Sequence, residues 1–473
     1  MINKTKIVAT IGPSTSSKEL LRKIITKGVN VCRINFSHST HEEAKNIIDA
    51  VKEINKELHV HTAILADLQG PKIRVGSFEK DIVLKKNQEV FFNTRKNQKT
   101  DIFVDYRRFA KDIKKGDRVL LDDGKILLRA LSTNNINRTK LKVVFGGKLR
   151  SNKGVNLPNT NVSLPCLTSK DRKDLDFILN EKIEWIGLSF VRNAEDVRTL
   201  KNLIKKHKKS KALVVAKIEK PQSINYIDEI IKETNAVMVA RGDLGVEVPS
   251  HKVPVYQKMI VEKCMKNAKP VIIATQMLES MTDNIFATRA EVNDVANSVI
   301  DGADAMMLSG ETSVGKHPVR AVETMVRIIK DVERSRHSIS KNFFKRDLVA
   351  NERYLSNAIC KNACQISQTV KAKAIITATY SGYNTITTSS FRPTAWIYAF
   401  TNNHTILNTL SLVWGVVGFY YRGGNTTDQT VLETQEFLKG LTIVKKGDKV
   451  INIASMPAKE RGMTNMMKLS KIK

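Results

Sequence analysis

Eight short apolar segments recur along the first two thirds of the chain, and seven of them lead within a few residues to a segment with helical periodicity. Each segment is rich in Val, Ile or Leu without strict alternation, which is typical of a strand buried on both faces. The segments are Ile7–Gly12, Val31–Ser37, Ala63–Leu68, Trp185–Phe190, Leu213–Ile218, Ala236–Ala240, Val271–Thr275 and Ala305–Leu308. Eight strand–helix units predict an α/β protein with a (β/α)8 TIM barrel. A flat doubly wound sheet is the alternative, but no GxGxxG motif follows the first strand.

The third strand is the exception, because no helix follows it directly. From Gly70 to Leu167 the pattern changes to short strand-like runs between Asp, Asn, Gly and Lys turns. We therefore expect an inserted all-β, barrel-like domain over residues 70–167, and the TIM barrel over residues 1–69 and 168–340. After it, a helix over Tyr354–Val370 and four strand-like runs predict a separate α/β domain over residues 341–473. Polar links at Gly70 and at Ser163–Thr168 are candidate hinges.

The composition adds charge to this picture. The 473 residues are 41% hydrophobic, which excludes disorder, and 78 Lys+Arg against 47 Asp+Glu give a formal net charge of +31. The basic residues are dispersed and mostly Lys, so we expect no nucleic-acid partner. No apolar run is long enough to span a membrane, and no signal-peptide pattern precedes the first strand, so we expect a cytoplasmic protein without a membrane anchor. Five scattered cysteines without a CxxC pair exclude a disulfide framework and the familiar zinc spacings.

Chemistry in such a barrel is expected where the strands end, and we call the side chains there the barrel rim. Glu219 and Asp243 end adjacent strands and offer oxygen ligands that suit a hard divalent ion, unless they only form salt bridges with Lys217 and Arg241. Arg33 adds a third cation, so the rim predicts a site for a phosphate or carboxylate. No Ser/His/Asp or Cys/His nucleophile set emerges, which favours electrostatic catalysis such as phosphoryl transfer. The rim comprises Arg33, Asn35, Ser37, Asp67, Ser189, Phe190, Lys217, Glu219, Arg241, Gly242, Asp243, Thr275, Gln276, Ser309, Gly310 and Glu311.

Seven sequence motifs resemble those of pyruvate kinases of bacterial type, and they occur in that family's order. The resemblance is close over residues 1 to about 335 and looser beyond. The motifs are TKIVATIGP from Thr5, CRINFSH from Cys32, GPKIR from Gly70, KGVNLP from Lys153, VARGDLGVE from Val239, ATQMLESM from Ala274 and LSGET from Leu308.

The resemblance implies a glycolytic homotetramer that transfers the phosphoryl group of phosphoenolpyruvate to ADP, giving ATP and pyruvate. It implies Mg²⁺ or Mn²⁺ on Glu219 and Asp243, and Lys217 stabilising the phosphoryl group in transfer. Arg33 would contact the phosphate, while the backbone at Gly242 and Asp243, with Thr275, would hold the carboxylate. Thr275 would also lie near the face on which the enolate is protonated. On the nucleotide side the resemblance places Asn35, His38, Arg74 and Lys153, the last on an inserted domain that closes as a lid.

A monovalent-ion site is also implied, because pyruvate kinases commonly bind K⁺ through groups matching Asn35, Ser37, Asp67 and the backbone carbonyl of Leu68. Here Leu68, Gln69 and Lys72 stand where the potassium-dependent pattern has Thr, Lys and Glu. A lysine ammonium could supply the field that K⁺ otherwise provides, so we expect K⁺ to be dispensable. The alternative is that Lys72 points into solvent and the pocket still binds K⁺.

Two further expectations concern regulation and reaction class. The segment Thr379–Thr385 resembles the family's loop for a phosphorylated effector, but Tyr383 and Trp414 stand where relatives often carry Arg, so we expect weak or altered activation by sugar phosphates or nucleotides. The same rim could also serve a metal-dependent lyase or aldolase, or a binding protein without catalysis. An inserted lid carrying Lys153 and the intact rim argue against both.

Overall fold

The computed structural model describes residues 3–96, 100–207, 210–335, 352–457 and 463–473. The expected boundary between residues 340 and 341 lies outside the described residues. The strands are β1 (Lys6–Ile11), β2 (Val31–Asn35), β3 (Ala63–Asp67), β4 (Ile82–Leu84), β5 (Glu89–Asn93), β6 (Ile102–Phe103), β7 (Arg118–Leu121), β8 (Ile126–Thr133), β9 (Arg138–Phe145), β10 (Gly147–Leu149), β11 (Val155–Asn156), β12 (Trp185–Leu188), β13 (Leu213–Ile218), β14 (Ala236–Ala240), β15 (Val271–Ala274), β16 (Ala305–Leu308), β17 (Ala374–Ala378), β18 (Trp396–Thr401), β19 (Val416–Tyr420), β20 (Lys449–Ala454) and β21 (Met466–Lys471).

The α-helices alternate with the barrel strands and also cover the C-terminal sheet. They are α1 (Lys18–Lys27), α2 (His41–Leu58), α3 (Phe109–Asp112), α4 (Ser169–Asn180), α5 (Ala194–Lys206), α6 (Pro221–Asn225), α7 (Ile227–Glu233), α8 (Arg241–Glu247), α9 (Val253–Lys266), α10 (Arg289–Asp301), α11 (Gly310–Ser313), α12 (Pro318–Arg334), α13 (Tyr354–Thr369), α14 (Tyr383–Ser390), α15 (His404–Leu410) and α16 (Thr427–Gly440). Helices α6 and α7 are separated at Tyr226, whose backbone (φ −106°, ψ 22°) leaves the helical region. None of the helices in the described ranges is long and apolar enough to cross a membrane.

Eight parallel strands close the barrel in the order β1-β16-β15-β14-β13-β12-β3-β2, so the TIM barrel is confirmed and the flat sheet is wrong. All six residues of β1 are buried, as expected for a strand covered on both faces. Alternate side chains such as Val8, Leu65 and Met307 form the inner core, while their neighbours pack under the helices. Because the strands are parallel, their last residues all lie at the same end of the barrel.

The insertion leaves the barrel after β3 and returns before α4. It contains a six-stranded sheet in the order β11-β7-β8-β9-β5-β6 and a two-stranded sheet of β10 and β4. The short helix α3 was not expected, so the insertion is not entirely β; Phe109 of this helix is buried in the domain core.

The link into the insertion is held tightly at Gly70. Its backbone has φ +70°, and an added Cβ would lie 2.8 Å from Phe190 Cδ2, so only glycine fits without strain. Its N–H donates to Asp171 Oδ1 at 3.1 Å, while Asp171 also caps α4 through Thr168. The start of the insertion is thereby tied to the rim of the barrel.

The C-terminal sheet has the order β19-β18-β17-β20-β21, with β21 antiparallel at the edge. This region contacts the N-terminal end of the barrel, opposite the rim. Leu412 packs within the inner barrel core, and Lys6 Nζ donates to the Val416 carbonyl at 2.8 Å. Buried Arg392 pairs with Asp304 at 2.8 Å. The C-terminal region therefore forms the floor of the barrel.

Candidate active site

The rim side chains surround a cavity of about 410 Å³ at the C-terminal ends of the strands. Its lining combines contributions from separate strand–helix units, most of them expected from the sequence. The lining includes Thr10, Arg33, Asn35, His38, Lys217, Met238, Asp243, Thr275, Ser309 and Gly310. Cationic, anionic and hydroxyl groups therefore face one solvent-connected space.

Lys217 and Arg33 are held side by side through one buried carboxylate, that of Asp67. Lys217 Nζ lies 3.1 Å from Asp67 Oδ1 and 3.0 Å from Glu219 Oε1, and it donates to Ser189 Oγ at 2.7 Å. Arg33 Nε donates to Asp67 Oδ2 at 2.8 Å. Burial alone would lower the pKa of Lys217, but the charges of Asp67 and Glu219 outweigh burial and raise that pKa. Two permanent cations thus line the cavity at fixed positions.

Glu219 and Asp243 are the acidic residues of this site: Asp243 lines the cavity, and Glu219 is buried in contact with Lys217. Glu219 is buried at the end of β13, where its Oε2 accepts the Phe190 N–H at 2.7 Å. Burial raises the pKa of Glu219, and the nearby charge of Asp243 adds to the rise while Lys217 opposes it. In the described ranges no group of three or more His, Cys, Asp or Glu side chains is placed to hold a metal. The two carboxylates fit a hard ion that keeps its remaining positions for water and substrate oxygens.

Thr275 lies at the turn after β15 and contacts the first turn of α8. Its backbone has φ +70°, followed by Gln276 at φ +55°, a rare conformation for two side-chain-bearing residues. Thr275 Oγ1 donates to the Ala274 carbonyl at 2.6 Å and accepts the Gly242 N–H at 2.7 Å. The Gly242 N–H, expected to hold a substrate carboxylate, is therefore bonded to Thr275 in this structure.

Arg241 does not join the anion site, and this part of the sequence-based interpretation is wrong. Its Nη1 donates to Asp294 Oδ1 at 2.8 Å, and its Nη2 donates to the Thr275 and Gln276 carbonyls at 2.7 and 3.0 Å. The long guanidinium stem lets it turn sideways into the loop after β15. Arg241 instead holds that loop in its unusual conformation.

Basic residues from the barrel and the insertion meet near His38. Burial lowers the pKa of His38, and the charges of Lys72, Arg74 and Arg33 lower it further. Lys153 forms an ion pair with Asp122 inside the insertion, with Nζ and Oδ1 2.8 Å apart. The expected nucleotide-side residues thus occur on both sides of the cleft between the barrel and the insertion.

Most groups of the expected monovalent site already have hydrogen-bond partners. Both Asp67 oxygens contact Arg33 or Lys217, Asn35 Oδ1 accepts the Ser37 N–H at 3.1 Å, and the Leu68 carbonyl accepts from Ser189 Oγ at 2.7 Å. Lys72 is exposed, and its Cε lies 3.3 Å from the position of a Cβ at Gly154 within the insertion. Among the residues that the structure describes, Lys72 forms no ion pair with Asp67.

Two site residues received no role from the sequence. Thr10 Oγ1 accepts from Arg33 Nη1 at 2.9 Å and donates to the Leu308 carbonyl at 3.0 Å. Thr10 lies near the end of β1, so applying the strand-end rule to the first strand would have found it. Ser189 was placed on the rim but not recognised as the residue that joins Lys217 to Leu68.

The expected effector loop follows β17. The Gly382 N–H donates to Thr379 Oγ1 at 2.9 Å, and Tyr383 OH donates to Asn357 Oδ1 at 2.8 Å. Trp414 does not belong to this loop: it is buried where the C-terminal region meets the barrel, and Arg392 Cζ lies 5.1 Å from its ring centroid. The two departures from the family pattern are therefore found in different environments.

Comparison with known proteins gives matches over nearly the whole chain. Residues 2–322 match the family model described as pyruvate kinase, barrel domain, and residues 357–470 match pyruvate kinase, alpha/beta domain. A pyruvate kinase of Staphylococcus saprophyticus is 40% identical over 99% of this chain and 80% of its own length. One of Thermococcus litoralis is 39% identical over 99% of both chains. A crystal structure of a pyruvate kinase from Cryptosporidium parvum superposes with a TM-score of 0.91 at 32% identity, over 100% of this chain and 96% of that one.

Proposed function

Because the chain belongs to the pyruvate kinase family, we propose that the cavity at the barrel rim is where it binds phosphoenolpyruvate. As a phosphotransferase of this family, the enzyme transfers the phosphoryl group of phosphoenolpyruvate to ADP and so forms ATP and pyruvate, a step of glycolysis. The observation that carries the site assignment is the placement of Arg33 and Lys217 on one buried carboxylate beside the cavity. The lyase and the non-catalytic relative find no support in the comparisons.

Arg33 and Lys217 bind the phosphate in this proposal. Arg33 contacts Asp67 through Nε and Nη2 and donates to Thr10 through Nη1, so part of its five-donor set stays available. Lys217 is held by three partners, so its positive charge lies at a fixed position beside the cavity before charge develops on the phosphoryl group. Such preorganisation is the main source of electrostatic catalysis.

Glu219 and Asp243 hold the divalent ion on which this family depends, which we propose to be Mg²⁺ or Mn²⁺. When bound, such an ion supplies positive charge that neutralises phosphoryl and carboxylate oxygens. Thr275, with the backbone of Gly242 and Asp243, positions the carboxylate end of the substrate. Thr275 is supported in this role by its strained backbone, which fixes its hydroxyl at the cavity.

The insertion, over residues 70–167, acts as a lid that completes the nucleotide site. Asn35, His38 and Arg74 contact the nucleotide from the barrel side and the hinge, and Lys153 approaches from the lid. The convergence of Lys72, Arg74 and Arg33 charge on His38 supports an ADP phosphate site there. K⁺ is dispensable in this proposal, since Asp67 is neutralised by Arg33 and Lys217.

We also propose a cytoplasmic homotetramer in which the C-terminal domain, residues 341–473, has a regulatory role with altered effector response. The five cysteines are all buried free thiols, which suits a reducing compartment. Tyr383 is bonded to Asn357 in the effector loop, which supports weak binding of a sugar phosphate there.

The site assignment is tested with Glu219→Ala and Asp243→Ala. Pyruvate formation from phosphoenolpyruvate and ADP, followed through a lactate dehydrogenase couple, should fall by about a thousandfold or more in each variant. Circular dichroism should remain that of the unaltered protein. Glu195→Ala, at an exposed position of α5, is the matched control and should keep full activity. A variant of either rim carboxylate that kept a tenth of the turnover would contradict the assignment.

A further inference from the structure

Glu247 forms a contact between the barrel and the insertion that the reaction itself does not explain. It is the last residue of α8 and is only 2% exposed. One oxygen, Oε1, accepts from Lys220 Nζ at 2.5 Å and from Asn156 Nδ2 of the insertion at 2.8 Å. The other oxygen is buried without a hydrogen-bond partner in the described structure. This carboxylate therefore depends on Lys220 and Asn156 for its neutralisation and hydrogen bonding.

The two barrel partners in this contact belong to segments that carry the acidic side of the active site. Lys220 directly follows Glu219, and its ammonium lies 5.5 Å from the ring centroid of Phe190, whose N–H binds Glu219. Asp243 is one turn before Glu247 on α8, a helix of seven residues that spans roughly 10 Å. A displacement of Glu247 is thus transmitted to both carboxylates through short, rigid segments.

The insertion partner belongs to the segment that carries Lys153. Asn156 lies on β11, which pairs with β7, and Lys153 is three residues before it. Lys153 is held by Asp122, whose turn approaches α8: a Cβ added at Gly124 would lie 3.6 Å from Val246 Cγ1. The same edge of the insertion therefore positions Lys153 and contacts the C-terminal end of α8.

We propose that Glu247 is a positioning residue that docks the insertion on the barrel and joins its placement to that of Glu219 and Asp243. The inference builds on the proposed function, since it assumes that Lys153 serves the nucleotide and that the two carboxylates serve the metal. Through Asn156, Glu247 holds the insertion over the cleft. Through Lys220 and α8, it couples the docked state to the rim.

The test exchanges donor and acceptor across the contact. Asn156→Asp replaces the amide donor by a carboxylate that faces the Glu247 carboxylate. The repulsion between them should separate the insertion from the barrel. Adding Glu247→Gln should restore the contact, because the new amide at position 247 can donate to the new carboxylate at position 156. Asn159→Asp is the control: this exposed residue of the insertion accepts from Arg118 Nε at 3.0 Å, so a carboxylate is tolerated there.

Docking is measured without turnover, by pulsed electron paramagnetic resonance between spin labels on Lys142→Cys in the insertion and Lys173→Cys on α4. Both positions are exposed and the five native cysteines are buried, so only the introduced thiols react. In Asn156→Asp the distance distribution should broaden, and the KM for ADP should rise at least tenfold with a smaller fall in kcat. The double variant should recover both, and the control should change neither.

An unchanged distance distribution in Asn156→Asp, or a double variant that fails to recover it, would overturn the inference. If Asn156→Asp does not fold, Asn156→Ala removes the donor without adding charge and should produce the same broadening in milder form. The distance measurement does not involve catalysis. Failure of the rim assignment would therefore appear in the Glu219 and Asp243 variants alone.

Discussion

Lys217→Met is the substitution that the geometry constrains most closely. The ammonium lies 3.0 Å from Glu219 Oε1 and 3.1 Å from Asp67 Oδ1, so each pair attracts by about 5 kcal/mol at an effective dielectric near 20. Desolvation of the buried ions, several kcal/mol each, offsets much of that attraction. Asp67 keeps Arg33 when Lys217 is lost, whereas Glu219 is left without its cation. We expect a loss of stability of about 3–5 kcal/mol, the usual cost of breaking a buried pair from one side.

The effect on catalysis should be larger in kcat than in the KM for phosphoenolpyruvate. Arg33 still binds the ground-state phosphate, whereas charge that develops during transfer loses a fixed positive charge nearby, which typically lowers kcat by about 10² to 10³. Initial rates in the lactate dehydrogenase couple, taken well below the melting temperature, separate the two constants. Lys201→Met is the control, since its ion pair with Glu233 at 2.9 Å is on the outside of the barrel. A Lys217→Met enzyme that retained more than a tenth of its kcat would refute the reasoning.

Three further outcomes follow from particular contacts. Initial rates of the unaltered protein should be the same in tetramethylammonium and in K⁺ salts, because Arg33 and Lys217 already neutralise Asp67; an unaltered enzyme inactive without K⁺ would contradict this. Gly70→Ala should melt at a lower temperature than Gly116→Ala, because both have positive φ but only the first Cβ meets Phe190, whereas a Cβ at Gly116 meets nothing within 4 Å. Burial lowers the pKa of Lys6 to about 8 from 10.5, so between about pH 8 and pH 10 the unfolded chain binds a proton that the folded chain does not. The unfolding free energy of the unaltered protein minus that of Lys6→Met should therefore rise by about 1.4 kcal/mol per pH unit in urea titrations, and a constant difference would show that Lys6 is not the cause.

The barrel could be predicted from the sequence because its strands are covered on both faces. A segment such as Ala236–Ala240 is apolar and buried at every position, and its apolar run is therefore distinct from the surrounding helices. The edge strand β21 was missed for the opposite reason. All six of its residues are exposed or half-buried, and its pairing with β20 is made by backbone groups that leave no hydrophobic pattern.

The positions of the rim residues could be predicted from the sequence, but their ion-pair partners could not. Strand ends put Arg33, Lys217 and Arg241 at one end of the barrel, and all three are found there. Their directions depend on partners distant in sequence: Asp67 draws Arg33 to the cavity, whereas Asp294 draws Arg241 away from it. Lys and Arg side chains are long and flexible, so they pair with whichever carboxylate lies near them in the folded protein. The position of a residue at a strand end does not indicate which carboxylate that is.

The floor of the barrel can be completed only late in the synthesis of the chain. The ammonium of Lys6 is bonded to a carbonyl 410 residues later in the chain, and the inner core includes Leu412. At roughly 5–20 residues per second, a ribosome needs on the order of 20 to 80 s to add that many residues. Throughout that time strand β1 already exists, but the Val416 carbonyl that accepts from Lys6 in the folded protein has not yet been synthesised. This end of the nascent barrel therefore stays uncovered until almost the whole protein has been translated, and only the late C-terminal region closes it.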